Sequence, residues 1–187
     1  MCQRKNCIYG LRINVLLSHQ QRNWQTIVEN NYYKMAVQSE HFRRNLRLGK
    51  KAEVRAMELL KSQYPTIHLA PESIKGSFKD YDLIDNEGNT FEVKSDTMSK
   101  DTGNIAIEFE SWGSASSIMA TKAMFWFQFY YLDGWVYSVC SVEDLRHFLK
   151  FGGFTITVGG EDMQSKMYLV PTYKFANEFG CIGVPKR

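Results

Sequence analysis

Tyr81-Asp82-Leu83-Ile84-Asp85-Asn86-Glu87-Gly88-Asn89-Thr90-Phe91-Glu92-Val93-Lys94-Ser95 reads as a β-hairpin, with strand-like runs Tyr81–Asp85 and Asn89–Ser95 around the loop Asn86-Glu87-Gly88. Gly88 suits the left-handed position of a three-residue loop. That loop sets Asp85 opposite Asn89, Asp82 opposite Glu92 and Asp80 opposite Lys94. Strand side chains alternate, so Asp82, Glu92 and Lys94 share one face, and Tyr81, Leu83, Phe91 and Val93 form the other.

Side chains directly opposed on two strands have Cβ atoms about 5 Å apart, and two carboxylates so placed repel each other. A divalent cation between them relieves the repulsion, and Mg²⁺ is commonly held by one or two carboxylates with water and phosphate oxygens. Lys94, two residues beyond Glu92, is placed to orient or deprotonate water or to stabilise charge on phosphate. The pattern suits phosphodiester hydrolysis. The simpler reading is a solvated hairpin with an Asp80–Lys94 cross-strand ion pair, worth under about 1 kcal/mol.

Upstream of the hairpin, Leu46, Leu48, Ala52, Val54, Ala56, Met57, Leu59 and Leu60 give a helix from about Asn45, ended by Tyr64-Pro65. A strand is expected at Ile67–Ala70. Downstream, residues 96–103 read as a loop and Ile105–Glu110 as an alternating strand. Ile105, Ile107 and Phe109 point one way, Glu108 and Glu110 the other; Glu110 either extends the metal site or faces solvent. Ser116–Tyr131 is expected to be a second helix, with Ala120, Ala123, Met124, Phe127 and Tyr131 at helical spacing. Its run Phe125-Trp126-Phe127-Gln128-Phe129-Tyr130-Tyr131 surrounds most of such a helix and marks a buried or interface element, with any excess beyond one core face pointing to a homodimer. Thr121 and Lys122 could touch phosphate, or Lys122 is an ordinary surface lysine. Trp135–Cys140 is a strand, and Ser141 caps a short helix with Asp144 at the capping-box position. Phe154–Val158 and Met167–Val170 are late strands. The whole is one mixed α/β domain.

Asp82, followed at hairpin distance by Glu92-Val93-Lys94, resembles the D…(D/E)xK signature of the PD-(D/E)XK nuclease superfamily, over about Asn45 to Leu149. The resemblance implies a restriction-endonuclease-like core, a central mixed β-sheet flanked by helices in the order αβββαβ. The stretch Gly103-Asn104-Ile105-Ala106-Ile107-Glu108-Phe109-Glu110-Ser111, with Thr121-Lys122-Ala123, is similar to phage-type and virus-type members. It further implies a Mg²⁺-dependent DNA endonuclease, with Mn²⁺ as a substitute ion. Asp82, Glu92 and the Val93 carbonyl would bind metal, Glu53 on the first helix would be an accessory ligand, and Lys94 would be the catalytic lysine. Tyr81 stands where the family has a proline before the aspartate, which leaves Asp80 as a competing candidate. The alternative function is a catalytically inactive nucleic-acid-binding or protein-binding module on the same fold.

The 187 residues carry a formal net charge of only +3, but unevenly: residues 1–50 hold nine of the 23 Lys and Arg and only two of the 20 Asp and Glu. A basic front on an acidic body suits a polyanion, and Arg43, Arg44, Arg47, Lys50 and Lys51 are the candidate DNA-backbone contacts. Residues 1–42 are expected to be a basic extension, helical or partly disordered, with Met35 as an alternative start, and residues 43–187 the nuclease-like domain with a C-terminal appendix. The four cysteines, Cys2, Cys7, Cys140 and Cys181, form no CxxC pair and the histidines do not cluster with them, which argues against zinc. Ile8–Leu17 is interrupted by Arg12 and Asn14 and is not a signal peptide, and no run reaches membrane-span length. The expected location is cytoplasmic, or nucleoid or nuclear in a host cell, with free thiols and no membrane partner.

Overall fold

The computed structural model describes residue 40 and residues 43–71, 80–160 and 163–185. The expected extension, Met35 and Ile8–Leu17 lie outside the described residues, apart from residue 40. By its contacts the chain divides into two units, Met1–Arg47 and Leu48–Arg187. The described residues of the first unit, 40 and 43–47, are helical and exposed. All the described strands belong to the second unit.

In the second unit, helix α1 covers residues 48–60. Ala56 and Leu60, one turn apart, are buried, and Ala52, Met57 and Leu59 pack beside them, while Leu48 and Val54 remain exposed. The apolar face is therefore narrower than the sequence pattern suggests. The turn that closes α1 is fixed by the Tyr64 N–H donating to the Leu60 carbonyl at 2.8 Å, just before Pro65.

Among the described residues, ten strands form two sheets. The first sheet contains β1 (His68–Leu69), β2 (Leu83–Ile84), β3 (Thr90–Ser95), β6 (Phe125–Tyr131), β7 (Trp135–Ser141) and β10 (Ile182–Gly183), in the order β1-β2-β3-β6-β7-β10. Its pairings are antiparallel except for β3 and β6, which run parallel. The second sheet is antiparallel and contains β4 (Asn104–Ser111), β5 (Ser114–Ala115), β8 (Thr155–Gly159) and β9 (Ser165–Pro171), in the order β5-β4-β9-β8. The helix α2 (Ser99–Thr102) precedes β4, α3 (Val142–Phe151) follows β7, and α4 (Thr172–Phe179) follows β9. No helix among the described residues is long and apolar enough to cross a membrane.

The hairpin forms in the expected register, with Leu83 opposite Phe91 and Ile84 opposite Thr90. Its turn is held by Asp85. The carboxylate accepts from Glu87 N–H at 2.9 Å, Asn89 N–H at 2.8 Å and Asn89 Nδ2 at 2.7 Å. The Asn89 side-chain bond, more than those backbone donors, holds the Asp85 carboxyl below the usual carboxylate range. Gly88 takes φ +88°, where a side chain would be strained.

The expected second helix over Ser116–Tyr131 is not formed. A 3-10 turn, Ser117–Met119, is followed by strand β6. A continuous apolar run fits a helix or a strand buried on both faces, and the aromatic enrichment here favours the strand. Residues 126–130 are all buried. Trp126 and Tyr130 enter one core cluster, and Phe127 and Phe129 enter the other. The first cluster also takes Ile105 and Ile107 of β4, Leu145 and Leu149 of α3 and Phe175 of α4. The second takes Ala56 and Leu60 of α1 with Leu83, Phe91 and Val93 of the hairpin. The strand thus has a different core on each face. Tyr81, expected with Leu83 and Phe91, packs instead against the first cluster.

The path from β3 to β6 carries the short helix α2 within the expected loop 96–103, the expected strand as β4, and then β5 and a 3-10 turn at the start of the expected helix. The fold is mixed α/β with a mixed multistranded sheet and a few helices, and the late strands join β4 in a second sheet instead of forming an appendix. Ser141 caps α3 as expected, accepting from Asp144 N–H at 2.9 Å and donating to Asp144 Oδ2 at 2.7 Å.

Candidate active site

Phe91 and Val93 commit one face of β3 to the α1 core, so Glu92 and Lys94 project from the opposite face. The parallel register sets Glu92 beside Trp126 and Lys94 beside Gln128. That face, β4 and the segment leading into β6 enclose a cavity of about 740 Å³, lined among others by Glu92, Lys94, Glu108, Thr121, Trp126 and Gln128. Gln128, only 2% exposed, accepts from Trp126 Nε1 at 3.0 Å and donates to the Phe129 carbonyl at 3.0 Å. The indole is thereby fixed, and Lys94 Nζ lies 6.0 Å from its ring centroid.

Lys94 Nζ meets Glu92 Oε1 at 2.6 Å, and Thr121 Oγ1 donates to Glu92 Oε2 at 3.0 Å. An ionised carboxylate has about four lone-pair sites, so these two bonds leave each oxygen able to accept another partner. The Lys94 side chain is 40% exposed, open to the cavity, and that of Glu92 12%. Burial works to lower the Lys94 pKa, but the charge and hydrogen bond of Glu92, with the charges of Asp82 and Glu108, outweigh it and hold the ammonium above its ordinary value.

Asp82 Oδ2 accepts from Val93 N–H at 2.8 Å, which ties the carboxylate to β3 between Glu92 and Lys94 in sequence. Burial, then the charge of Glu92, pushes the Asp82 carboxyl up from 3.8 to about 6; the Val93 bond and Lys94 act against this, and Glu53 adds to it. Glu53 of α1 therefore lies within electrostatic reach of Asp82.

Of the other candidates, Asp80 also lines the cavity. Asp80 pairs with Lys122, Nζ to Oδ1 at 3.1 Å, on an exposed rim, so the cross-strand Asp80–Lys94 pair is not formed. The Lys122 and Thr121 side chains both belong to the segment entering β6, because no helix is present there. Glu110 pairs with Lys166 at 2.8 Å. A register irregularity between Glu108 and Glu110 separates the two residues, and Glu108 is the one that lines the cavity, accepting from Ser116 Oγ. Arg43, Arg44, Arg47, Lys50 and Lys51 are exposed along helical residues, the first three in the first unit.

Glu108, Trp126 and Arg146 escape the sequence reading, and Thr121 enters it only as a phosphate contact. Glu108 is masked because perfect alternation equates it with Glu110, and only a bulge distinguishes them. Trp126 becomes visible once residues 125–131 are read as a strand parallel to β3, which sets it beside Glu92. Arg146 of α3 gave no motif at all; it donates from Nε to the Ile118 carbonyl at 2.9 Å and from Nη2 to the Thr121 carbonyl at 3.0 Å.

The donor set fits a hard divalent cation. Burial, and after it the charge of Glu92, raises the Asp82 carboxyl, and two carboxylates completed by water and phosphate oxygens are a common Mg²⁺ set. Among the described residues no group of three or more His, Cys, Asp or Glu side chains stands ready to hold a metal ion. Compared with family models, with curated proteins and with solved structures, the chain finds no match.

Proposed function

We propose that the chain is a divalent-cation-dependent endonuclease that hydrolyses phosphodiester bonds in DNA. The observation that carries this reading is Glu92 and Lys94 paired in the wall of one cavity, with Asp82 bonded to the Val93 N–H between them and its carboxyl raised to about 6 by burial and by Glu92. A carboxyl raised in this way beside a second carboxylate and a lysine is a functional-site candidate. The antiparallel run β1-β2-β3 behind α1, with β6 parallel to β3, supports a restriction-endonuclease-like core. The path to β6, which carries strands and a 3-10 turn in place of a long helix, and Tyr81 in place of proline depart from that family's pattern.

Asp82 and Glu92, with the Val93 carbonyl, would hold Mg²⁺ or Mn²⁺, and Glu53 would serve as an accessory ligand. Such an ion supplies charge stabilisation at the phosphate and a more acidic water. Lys94 remains protonated next to Glu92 and presents its Nζ to the cavity, where it would orient a water molecule or bind a non-bridging phosphate oxygen. Arg43, Arg44, Arg47, Lys50 and Lys51 would neutralise DNA phosphates. Asp80 and Lys122, bound to each other, would form part of the rim rather than the centre.

A test is the conversion of supercoiled plasmid to nicked or linear forms in Mg²⁺ or Mn²⁺, with a chelator control. Cleavage that requires the ion supports the proposal. One observation favours the second reading, an inactive binding module: both Glu92 oxygens are already engaged by Lys94 and Thr121. That reading predicts DNA binding weakened by salt, and intact DNA in every divalent ion.

A further inference from the structure

We infer that Thr121 is a positioning residue, whose hydroxyl fixes the direction of the Glu92 carboxylate for a divalent cation. The inference rests on the nuclease reading of the site and extends it to a residue outside the Asp82–Glu92–Lys94 set. A threonine hydroxyl has one proton. Glu92 Oε2 at 3.0 Å takes it in preference to the Asp80 carbonyl at 3.4 Å. One lone pair of Oγ1 is used by Ala123 N–H, which donates at 3.2 Å. With one lone pair anchored by the backbone and its single proton given to Glu92, the hydroxyl is held toward that carboxylate.

The main chain of Thr121 is held as firmly. Its N–H donates to the Ser117 carbonyl at 2.9 Å, and its own carbonyl accepts from Arg146 Nη2 at 3.0 Å. Arg146 Nε holds the Ile118 carbonyl at 2.9 Å in the same grip. The neighbouring Lys122 N–H donates to the Asp80 carbonyl at 3.1 Å, tying the segment to the chain just before β2. Thr121 is also β-branched, so its χ1 is stiff. Backbone, rotamer and acceptor all restrict one hydroxyl. Glu92 is in turn clamped from two sides, by Lys94 on Oε1 and Thr121 on Oε2. Partners of this kind, one bond removed from the ion, govern metal affinity, and losing one typically weakens binding by about 10–100-fold.

The test measures Mn²⁺ binding by electron paramagnetic resonance in wild type, Thr121→Val and Thr121→Ser, without DNA, beside a thermal melt of each protein. Valine keeps the branched shape and removes the hydroxyl; serine keeps the hydroxyl. The expected result is a tenfold or greater loss of Mn²⁺ affinity in T121V, affinity within about threefold of wild type in T121S, and closely similar melting temperatures. Wild-type affinity in T121V overturns the inference while leaving the nuclease reading standing. A loss that T121S does not restore assigns the effect to packing and also overturns it. A folded wild type that binds no Mn²⁺ at millimolar concentration overturns the nuclease reading, and the inference with it.

Discussion

Asp82 accepts a backbone hydrogen bond, yet its carboxyl stands at about 6 because burial and the Glu92 charge outweigh that bond. The folded chain therefore binds the Asp82 proton more tightly than the unfolded chain, whose value is near 3.8. In the metal-free protein this group's contribution to stability accordingly falls as pH rises from about 4 to about 6, and the deficit persists above. Asp82→Asn removes the charge and keeps an acceptor for Val93 N–H. In chelator, D82N should be more stable than wild type at pH 8, by about 1–2 kcal/mol after allowing for screening, with the difference reduced to about a third of that near pH 4.5 and lost below about pH 4. Urea unfolding of both proteins at the two pH values checks this; a D82N protein that is less stable at pH 8 contradicts it. At the same scale, Lys94 and Glu92 were legible as neighbours on one face because strand alternation is local. The Glu92–Thr121 bond was not, since it joins residues 29 positions apart across a parallel pairing.

At the scale of elements, Arg146 fastens the segment entering β6 to α3 through two carbonyls. Arg146→Met should leave both carbonyls without that donor and cost about 1–3 kcal/mol. Hydrogen exchange should rise at the amides of residues 117–124 while α3, whose cap at Ser141 is intact, keeps its protection. Equal loss of protection in α3 would show that Arg146 supports the helix rather than the segment. Ser141→Ala tests the cap separately, with an expected loss of about 1 kcal/mol in urea unfolding. The elements that the sequence revealed are those whose signals are short-range: the α1 face, the hairpin with its Gly88 turn, and the capped α3. Strand β6 was misread because seven nearly all-apolar residues satisfy helical and strand periods alike. Its status was decided by the two separate cores that meet on its faces, a tertiary fact. The helix α4 and strand β10 gave too little periodic sequence to be anticipated.

Over the whole molecule, charge separates along the sequence: basic side chains far outnumber acidic ones before residue 52, and carboxylates outnumber cations around the cavity. An acidic cavity alone repels DNA, so binding must draw on cations elsewhere on the chain or on a bound ion. Each lysine or arginine that contacts a phosphate should contribute about 0.9 to the slope of log affinity against log salt. Replacing Arg43, Arg44, Arg47, Lys50 and Lys51 together by alanine should flatten that slope, measured by fluorescence anisotropy on a DNA duplex. An unchanged slope would remove these residues from the interface. The central claim, that Asp82, Glu92 and Lys94 form a hydrolytic centre, is tested most directly by plasmid cleavage in Mg²⁺ or Mn²⁺ with wild type, Lys94→Ala and Asp82→Asn side by side. The account predicts ion-dependent cleavage by wild type and a loss of at least about a hundredfold in both variants, each folded by its melting curve. Equal cleavage by all three proteins would contradict it.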